Sequence, residues 1–222
     1  MISKMMTRSK IIDANLKLPY TKHLMGASSI IEYPNFWSKD CADKILNQLL
    51  SELSWRTDSI TIFGKKIPIP RLQCWMGESH CYYKYSGISM TPLPWTPAMT
   101  AIRNRVQQTA GAMFNCVLIN QYRNGLDSNG WHADDEKILG NSPVIASASF
   151  GATRKFLLKP KNGEKRQSST FLLSHGSLII MNAGIQEEWL HQIPKEKQVA
   201  GVRLNLTFRY IPPTPLSHSG PE

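Results

Sequence analysis

The chain divides by the period of its apolar positions. From about residue 115 onward, hydrophobic and polar residues alternate in short runs: NCVLINQYR, VIASASFG, RKFLLKP, STFLLSHG, SLIIMNAG, EEWLHQIP and VRLNLTFRYI, separated by Gly, Asn, Pro and Ser. A period of two marks half-buried strands, and many short strands at this spacing predict a sandwich, jelly roll or barrel. Upstream the period lengthens. Ile45, Leu46, Leu49, Leu50 and Leu53 share one face of a helix predicted over 39–53, with Ser38 as its N-cap. Ala98, Ile102 and Val106 mark a second helix, which opens at Thr96-Pro97 and closes at Gly111. Between them TDSITIFGKKIPIPR predicts a hairpin with Phe63-Gly64-Lys65 near its tip. The expected fold class is α+β, with two N-terminal helices buttressing an antiparallel β-core.

No repeat or interior linker interrupts residues 26–212, which are read as one domain, with lid elements at about 55–95 and the β-core at about 115–211. Residues 1–25 are polar and basic without periodicity and predict an arm of low order; 213–222 predict a frayed tail. Charge sharpens the picture. The 222 residues carry 26 Lys+Arg against 16 Asp+Glu, a formal net charge of +10. Such a surface attracts polyanions, nucleic acid first and anionic membrane second. A local source is the stretch from Arg154 to Arg166, where Lys155, Lys159, Lys161 and Lys165 face the single acid Glu164; as a loop it suits a phosphate backbone. No apolar stretch approaches the ~20 residues of a bilayer span, and no apolar segment follows the basic start MISKMMTRSK, so neither a membrane protein nor a secretory signal is expected. Cys41, Cys74, Cys81 and Cys116 have no framework spacing and read as reduced thiols of a cytosolic protein. No interface pattern is evident, and a monomer is expected.

The final strand carries the first chemical signal. In GVRLNLTFRYI, Val202, Leu204, Leu206, Phe208 and Tyr210 fall on one face and Arg203, Asn205, Thr207 and Arg209 on the other. The two arginines stand about 20 Å apart along the strand, and side chains leaning inward leave a gap of about 6–8 Å. That gap suits a small dicarboxylate gripped at both ends by guanidinium groups.

The second signal is an H-x-D. His132 and Asp134, at i and i+2 of an extended segment, point the same way. His191, 59 residues on, lies in the run before the arginine strand. Two histidines and one carboxylate with open positions make the facial triad of non-haem Fe(II) oxygenases. His23 and His218 fall in the expected tails; His80 and His175 adjoin turns and read as structural or surface residues. Other chemistries lack their motifs: there is no H-E-x-x-H, no zinc-deaminase signature, no G-x-S-x-G elbow, and no Walker or Rossmann glycine pattern.

The ordered set H-x-D, H and R-x-N-x-T-x-R, with PRLQCWMGE, YKYSGISMTPLPW, FNCVLINQYRNGLDSNGWHADDE, SPVIASASFGATRKFLL, LSHGSLIIMN and WLHQIPK, resembles the AlkB family of Fe(II)/2-oxoglutarate-dependent nucleic-acid dealkylases over about residues 32–211. The resemblance implies a double-stranded β-helix (jelly-roll) core with a β-hairpin nucleotide-recognition lid. It implies Fe(II), 2-oxoglutarate and O₂ as cofactor and co-substrates, with His132, Asp134 and His191 on the iron. Arg203 would hold the far carboxylate, and Asn120, Tyr122, Asn205, Thr207 and Arg209 would complete its pocket. Asp135 would help recognise the damaged base, Tyr83 and Tyr85 would contact the flipped nucleotide, and the finger Ile62-Phe63-Gly64-Lys65 would push an aromatic wedge into the stack. Trp131, Ala133 and Asn182-Ala183-Gly184-Ile185 depart from the family pattern and bear on substrate preference. The implied function is oxidative demethylation of bases such as 1-methyladenine and 3-methylcytosine in DNA or RNA, in the cytoplasm (at the nucleoid of a prokaryote) or in a nucleus. An RNA- or protein-directed oxygenase and a non-catalytic nucleic-acid-binding module are the alternatives.

Overall fold

The computed structural model describes residues 18–213 apart from 63, 86 and 164–167. In chain order come β1 (Thr21–Met25), β2 (Ser28–Tyr33), α1 (Lys39–Glu52), the hairpin β3 (Ser59–Ile62) and β4 (Lys65–Pro68), β5 (Leu72–Gly77), the small hairpin β6 (Tyr83–Tyr85) and β7 (Ile88–Met90), and α2 (Pro97–Ala110). Then follow β8 (Cys116–Tyr122), β9 (Asn129–His132), β10 (Ile145–Gly151), β11 (Arg154–Pro160), β12 (Ser169–Leu173), β13 (Ser177–Met181), the single-turn α3 (Ile185–Glu188), β14 (Trp189–Ile193) and β15 (Arg203–Arg209). The large sheet runs β1-β2-β13-β10-β15-β8-β5 and the small one β12-β11-β14-β9. Strands β8 to β15 divide four to each sheet, the arrangement of a double-stranded β-helix.

Both helices start where their caps predict. The Cys41 N–H donates to Ser38 Oγ at 3.4 Å, with Asp40 in the first turn of α1. The Met99 N–H donates to Thr96 Oγ1 at 3.2 Å, Pro97 occupies the first turn of α2, and Gly111 ends it at φ 61°, a left-handed position that favours glycine. The buried stripe of α2 is Met99, Ile102 and Val106, so Met99 takes the place expected of Ala98.

The helices cover one face of the large sheet. Leu49, Val106, Phe36 and Trp37 pack with Ile119, Ala148, Phe150, Leu204, Leu206 and Phe208 in one cluster. The alternate residues of the same strands face the small sheet. A second cluster, with Phe156, Leu158, Phe171, Ile179 and Met181, fills the space between the sheets, and a third underlies the lid around Trp75, Tyr83, Met90 and Leu118. Each large side chain so buried contributes about 1.5–3 kcal/mol.

Two expected boundaries are corrected. The low-order arm does not extend to residue 25: Thr21–Met25 pairs with Ser28–Glu32, and Met25 is buried. The strand escaped periodicity because it is an edge with a solvated side, Leu24 remaining 78% exposed. His23 therefore lies in a strand, 2.8 Å from Glu32, and not in a tail. The lid range also contains β5, a member of the large sheet rather than of a lid. Residues 1–17 and 214–222 lie outside the described residues. No helix among the described residues is long and apolar enough to cross a membrane.

Leu49 is fully buried between α1 and the sheet. Leu49→Ala is expected to lower stability by about 2–5 kcal/mol, read from the midpoint of urea unfolding at constant slope.

Candidate active site

Pairing of β14 with β9 sets His191 directly opposite His132, so both imidazoles project from one face, their centroids 4.2 Å apart. Asp134 follows just past the end of β9. One ligand atom from each of His132, Asp134 and His191 lies within 4.8 Å of the others, as sharing one ion requires. The His132 Nδ1–H donates to the Gly130 carbonyl at 2.7 Å, which leaves the lone pair on Nε2, 4.0 Å from Asp134 Oδ1. Asn129 Nδ2 donates to that Nε2 at 3.1 Å. Burial first, then the neighbouring His132 and Arg209, pull the His191 imidazole down to about 3, so it is neutral, the form that ligates metal.

Asp134 is buried, which alone would raise its pKa; the Arg209 guanidinium, with His191 and His132, holds it below the usual carboxylate range. Arg209 donates from Nη2 at 2.7 Å and from Nε at 3.2 Å, both to Oδ2. The Asp134 backbone N–H donates to Gln186 Oε1 at 2.9 Å, so α3 fixes the ligand's main chain.

Arg203, Asn205, Thr207 and Arg209 all line one cavity of about 610 Å³, together with Asn120, Tyr122 and the three ligand residues. Arg203 is fully buried, its Cζ 5.2 Å from the Tyr122 ring centroid, and donates to Ser149 Oγ at 2.9 Å. Its Nε and Nη1 are buried without a hydrogen-bond partner among the described residues. Burial pulls this guanidinium down to about 10, against the opposing influence of Tyr122. A buried cation with two idle donors calls for an anion, and a carboxylate is the planar match. The residues present therefore fit a dicarboxylate beside a divalent metal. The symmetrical grip expected of the two arginines is corrected: Arg209 is committed to Asp134 and keeps only Nη1 idle, whereas Arg203 has two donors to spare. Asn205 donates to Ser147 Oγ at 2.7 Å and accepts from Thr207 Oγ1 at 3.2 Å; Asn120 Oδ1 accepts from Arg71 Nε at 3.0 Å and Gln73 Nε2 at 2.9 Å.

In the same cavity, the Tyr83 hydroxyl donates to Glu136 Oε1 at 2.6 Å, and the Tyr83 ring stacks on Trp75 at 4.8 Å. Glu136 Oε2 is buried without a partner among the described residues. Asp135 does not line the cavity, where a residue that helps recognise the damaged base was expected: it is 54% exposed and 2.6 Å from Lys161 Nζ. The extended segment that aims His132 and Asp134 inward aims Glu136 inward as well and Asp135 outward. Gly64 sits at φ 76° just before β4, and Lys65 is exposed at the start of that strand. Phe63 and the side chain of Tyr85 lie outside the described residues. Sequence reasoning missed Arg71, Glu136 and Gln186; the basic loop expected from Arg154 is corrected, since Arg154–Pro160 is β11 and Arg154 itself is buried on Glu196 and three backbone carbonyls. His80 and His175 hold backbone groups, of Ile211 and Gly151 respectively, as structural residues do.

Residues 29–209 match the family model of the 2OG-Fe(II) oxygenase superfamily. The chain is 39% identical over 209 residues to the DNA oxidative demethylase ALKBH2 of Mus musculus, covering 90% of this chain and 87% of that protein. It is 40% identical over 198 residues to the alpha-ketoglutarate-dependent dioxygenase alkB homolog 3 of Homo sapiens, covering 86% and 68%. This chain belongs to the AlkB family of 2-oxoglutarate–Fe(II) oxygenases. Among solved structures, OsALKBH1 shares the fold with a TM-score of 0.60 at 19% identity, over 86% of this chain and 99% of that one. As an AlkB-family member the protein is an Fe(II)- and 2-oxoglutarate-dependent dioxygenase, and the donor set of His132, Asp134 and His191 fits the iron.

The two arginines are expected to differ in what their loss costs. Arg209→Met leaves Asp134 buried without its counter-charge and should destabilise the protein by about 3–5 kcal/mol. Arg203→Met removes a cation with no carboxylate partner and should cost less while weakening 2-oxoglutarate binding. Urea unfolding and titration calorimetry check both; equal stability losses would contradict the assignment.

Proposed function

We propose that this protein demethylates ring nitrogens of bases in DNA, with 1-methyladenine and 3-methylcytosine as substrates, iron on His132, Asp134 and His191, and 2-oxoglutarate anchored at Arg203. When bound, iron with 2-oxoglutarate and O₂ would supply the oxidation: one oxygen atom of O₂ would enter succinate as 2-oxoglutarate loses CO₂, and the other would hydroxylate the methyl carbon, which then leaves as formaldehyde. The observation that carries the reading is one cavity lined by the ligand triad, by Arg203 with its idle donors, and by Glu136 with an idle carboxylate oxygen. Both substrates carry positive charge, and both present an exocyclic amino donor beside the methylated nitrogen. Glu136 Oε2 accepts from that amino group and stabilises the charge, as a partly buried carboxylate does strongly. Tyr83 holds Glu136 by its other oxygen and lends a ring edge to the base. Tyr85 contacts the nucleotide, and Asp135, outside the cavity, holds Lys161.

A base reaches this cavity only after leaving the stack, and a wedge in the gap offsets the unstacking. The β3–β4 hairpin supplies that wedge in duplex DNA, with Phe63 as the aromatic residue between Ile62 and Gly64 in the sequence and Lys65 as a neighbouring cation. The formal charge of +10 favours the polyanion. Relatives named for DNA demethylation support the same substrate class.

Methylated single- and double-stranded DNA and RNA oligonucleotides, with products read by mass, test the reading. His132→Ala and Asp134→Ala are each expected to abolish formaldehyde release; turnover surviving either change overturns the ligand assignment. Phe63→Ala should lower kcat/KM on duplex about tenfold relative to its effect on single strands, within the few kcal/mol of unstacking. Equal effects on both strand states would remove the wedge.

A further inference from the structure

On the far side of the Tyr83–Glu136 contact lies a second depression, an open groove of about 500 Å³. Tyr83 and Glu136 line both it and the catalytic cavity, so this hydrogen-bonded pair forms the partition between them. Tyr82 and Ile138 also line the groove, 62% and 41% exposed although large and apolar. Ser89 and Thr91 add hydroxyl groups, and Lys137 adds an ammonium with no ion-pair partner among the described residues.

We propose that this groove is a second nucleotide subsite: it takes the base adjacent to the flipped one on the same strand, stacked on Tyr82 and Ile138, with a neighbouring phosphate on Lys137. The inference rests on the dealkylase reading and extends it from one nucleotide to two.

Three observations carry it. The first is continuity, because consecutive nucleotides need neighbouring sites, and here the two sites share a wall. The second is chemistry. An exposed aromatic ring beside an aliphatic side chain suits the π-face of any base, hydroxyl groups serve as donor or acceptor to any base edge, and an unpaired lysine serves a phosphate. The groove thus favours a polyanion that stacks over a peptide, in keeping with the chain's excess of positive charge. The third is preorganisation. The Tyr82 N–H donates to the His80 carbonyl at 2.8 Å, the adjacent Tyr83 is stacked on Trp75, and the Leu139 N–H donates to the Glu136 carbonyl at 2.9 Å, fixing the turn that bears Ile138. A wall already ordered loses little entropy on binding.

The test compares substrates of two lengths on the iron- and 2-oxoglutarate-loaded enzyme: 1-methyladenosine monophosphate and a trinucleotide with the same lesion at its centre. Tyr82→Ala is expected to raise KM for the trinucleotide about tenfold, with kcat held, and to move KM for the mononucleotide less than twofold. Tyr82→Phe, which keeps the ring, should retain the wild-type trinucleotide KM. Lys137→Ala should reduce the salt slope of trinucleotide affinity by about one. A Tyr82→Ala effect equal on both substrates, or Tyr82→Phe as damaging as Tyr82→Ala, overturns the subsite while leaving the dealkylase reading in place. Wild-type enzyme that turns over neither substrate overturns the dealkylase reading and the subsite with it.

Discussion

The buried ion pair between Arg209 and Asp134 is the constraint on which the metal centre depends. Arg209 lies on β15, inside the large sheet; Asp134 lies beyond β9, at the edge of the small one. Both donors of Arg209 fall on a single carboxylate oxygen, Oδ2, and Oδ1 is left facing His132 Nε2. The ion pair thus does two things at once. It keeps the carboxylate ionised in a site that burial alone would neutralise, and it assigns one oxygen to the protein and the other to a ligand. Gln186 restrains the main chain of the same residue, so Asp134 is held at both ends.

β15 also explains why the core and the chemistry cannot vary independently. Leu204, Leu206 and Phe208 lock into the cluster beneath α1 and α2, while Arg203, Asn205, Thr207 and Arg209 project into the cavity. The strand has neighbours on both edges, β10 and β8, and all seven of its residues are buried. A one-residue slip would exchange the faces, burying guanidinium groups among aromatic rings. The helices therefore contribute to function through register: the apolar face they cover is what fixes the direction of the arginines.

Much of this was legible because it is local. Alternation along β15 separates its faces without reference to any other residue, and caps at Ser38, Thr96 and Gly111 announce the helices within a few positions. What failed was through-space. The partner of Arg209 is 75 residues away in sequence, and spacing along a strand cannot tell a guanidinium waiting for a ligand from one already neutralised by a buried carboxylate. Asp135 and Glu136 show a different failure, since the alternation that joined His132 to Asp134 would have chosen Glu136 had it been carried one step further. The strand β1 was hidden because pairing to β2, rather than an amphipathic pattern of its own, holds it in place.

In the proposed reaction, recognition of the substrate divides between a rigid part and an exposed part for a physical reason. Tyr83 is enclosed by Trp75, Glu136 and the Arg209 guanidinium, whose Cζ lies 5.8 Å from its ring, so the groups nearest the chemistry share the rigidity of the metal centre. Trp75 is itself held by donation from Nε1 to the Cys81 carbonyl at 2.8 Å. The β3–β4 hairpin is different: every residue of β4 is exposed, and among the described residues Ile60 and Ile69 pack it onto the core. Positioning a methyl group for attack tolerates little displacement, whereas a wedge that enters a base stack must follow a substrate of varying shape. On the proposed reading, dense packing at Tyr83 and the exposure of β4 meet these opposed demands within one lid.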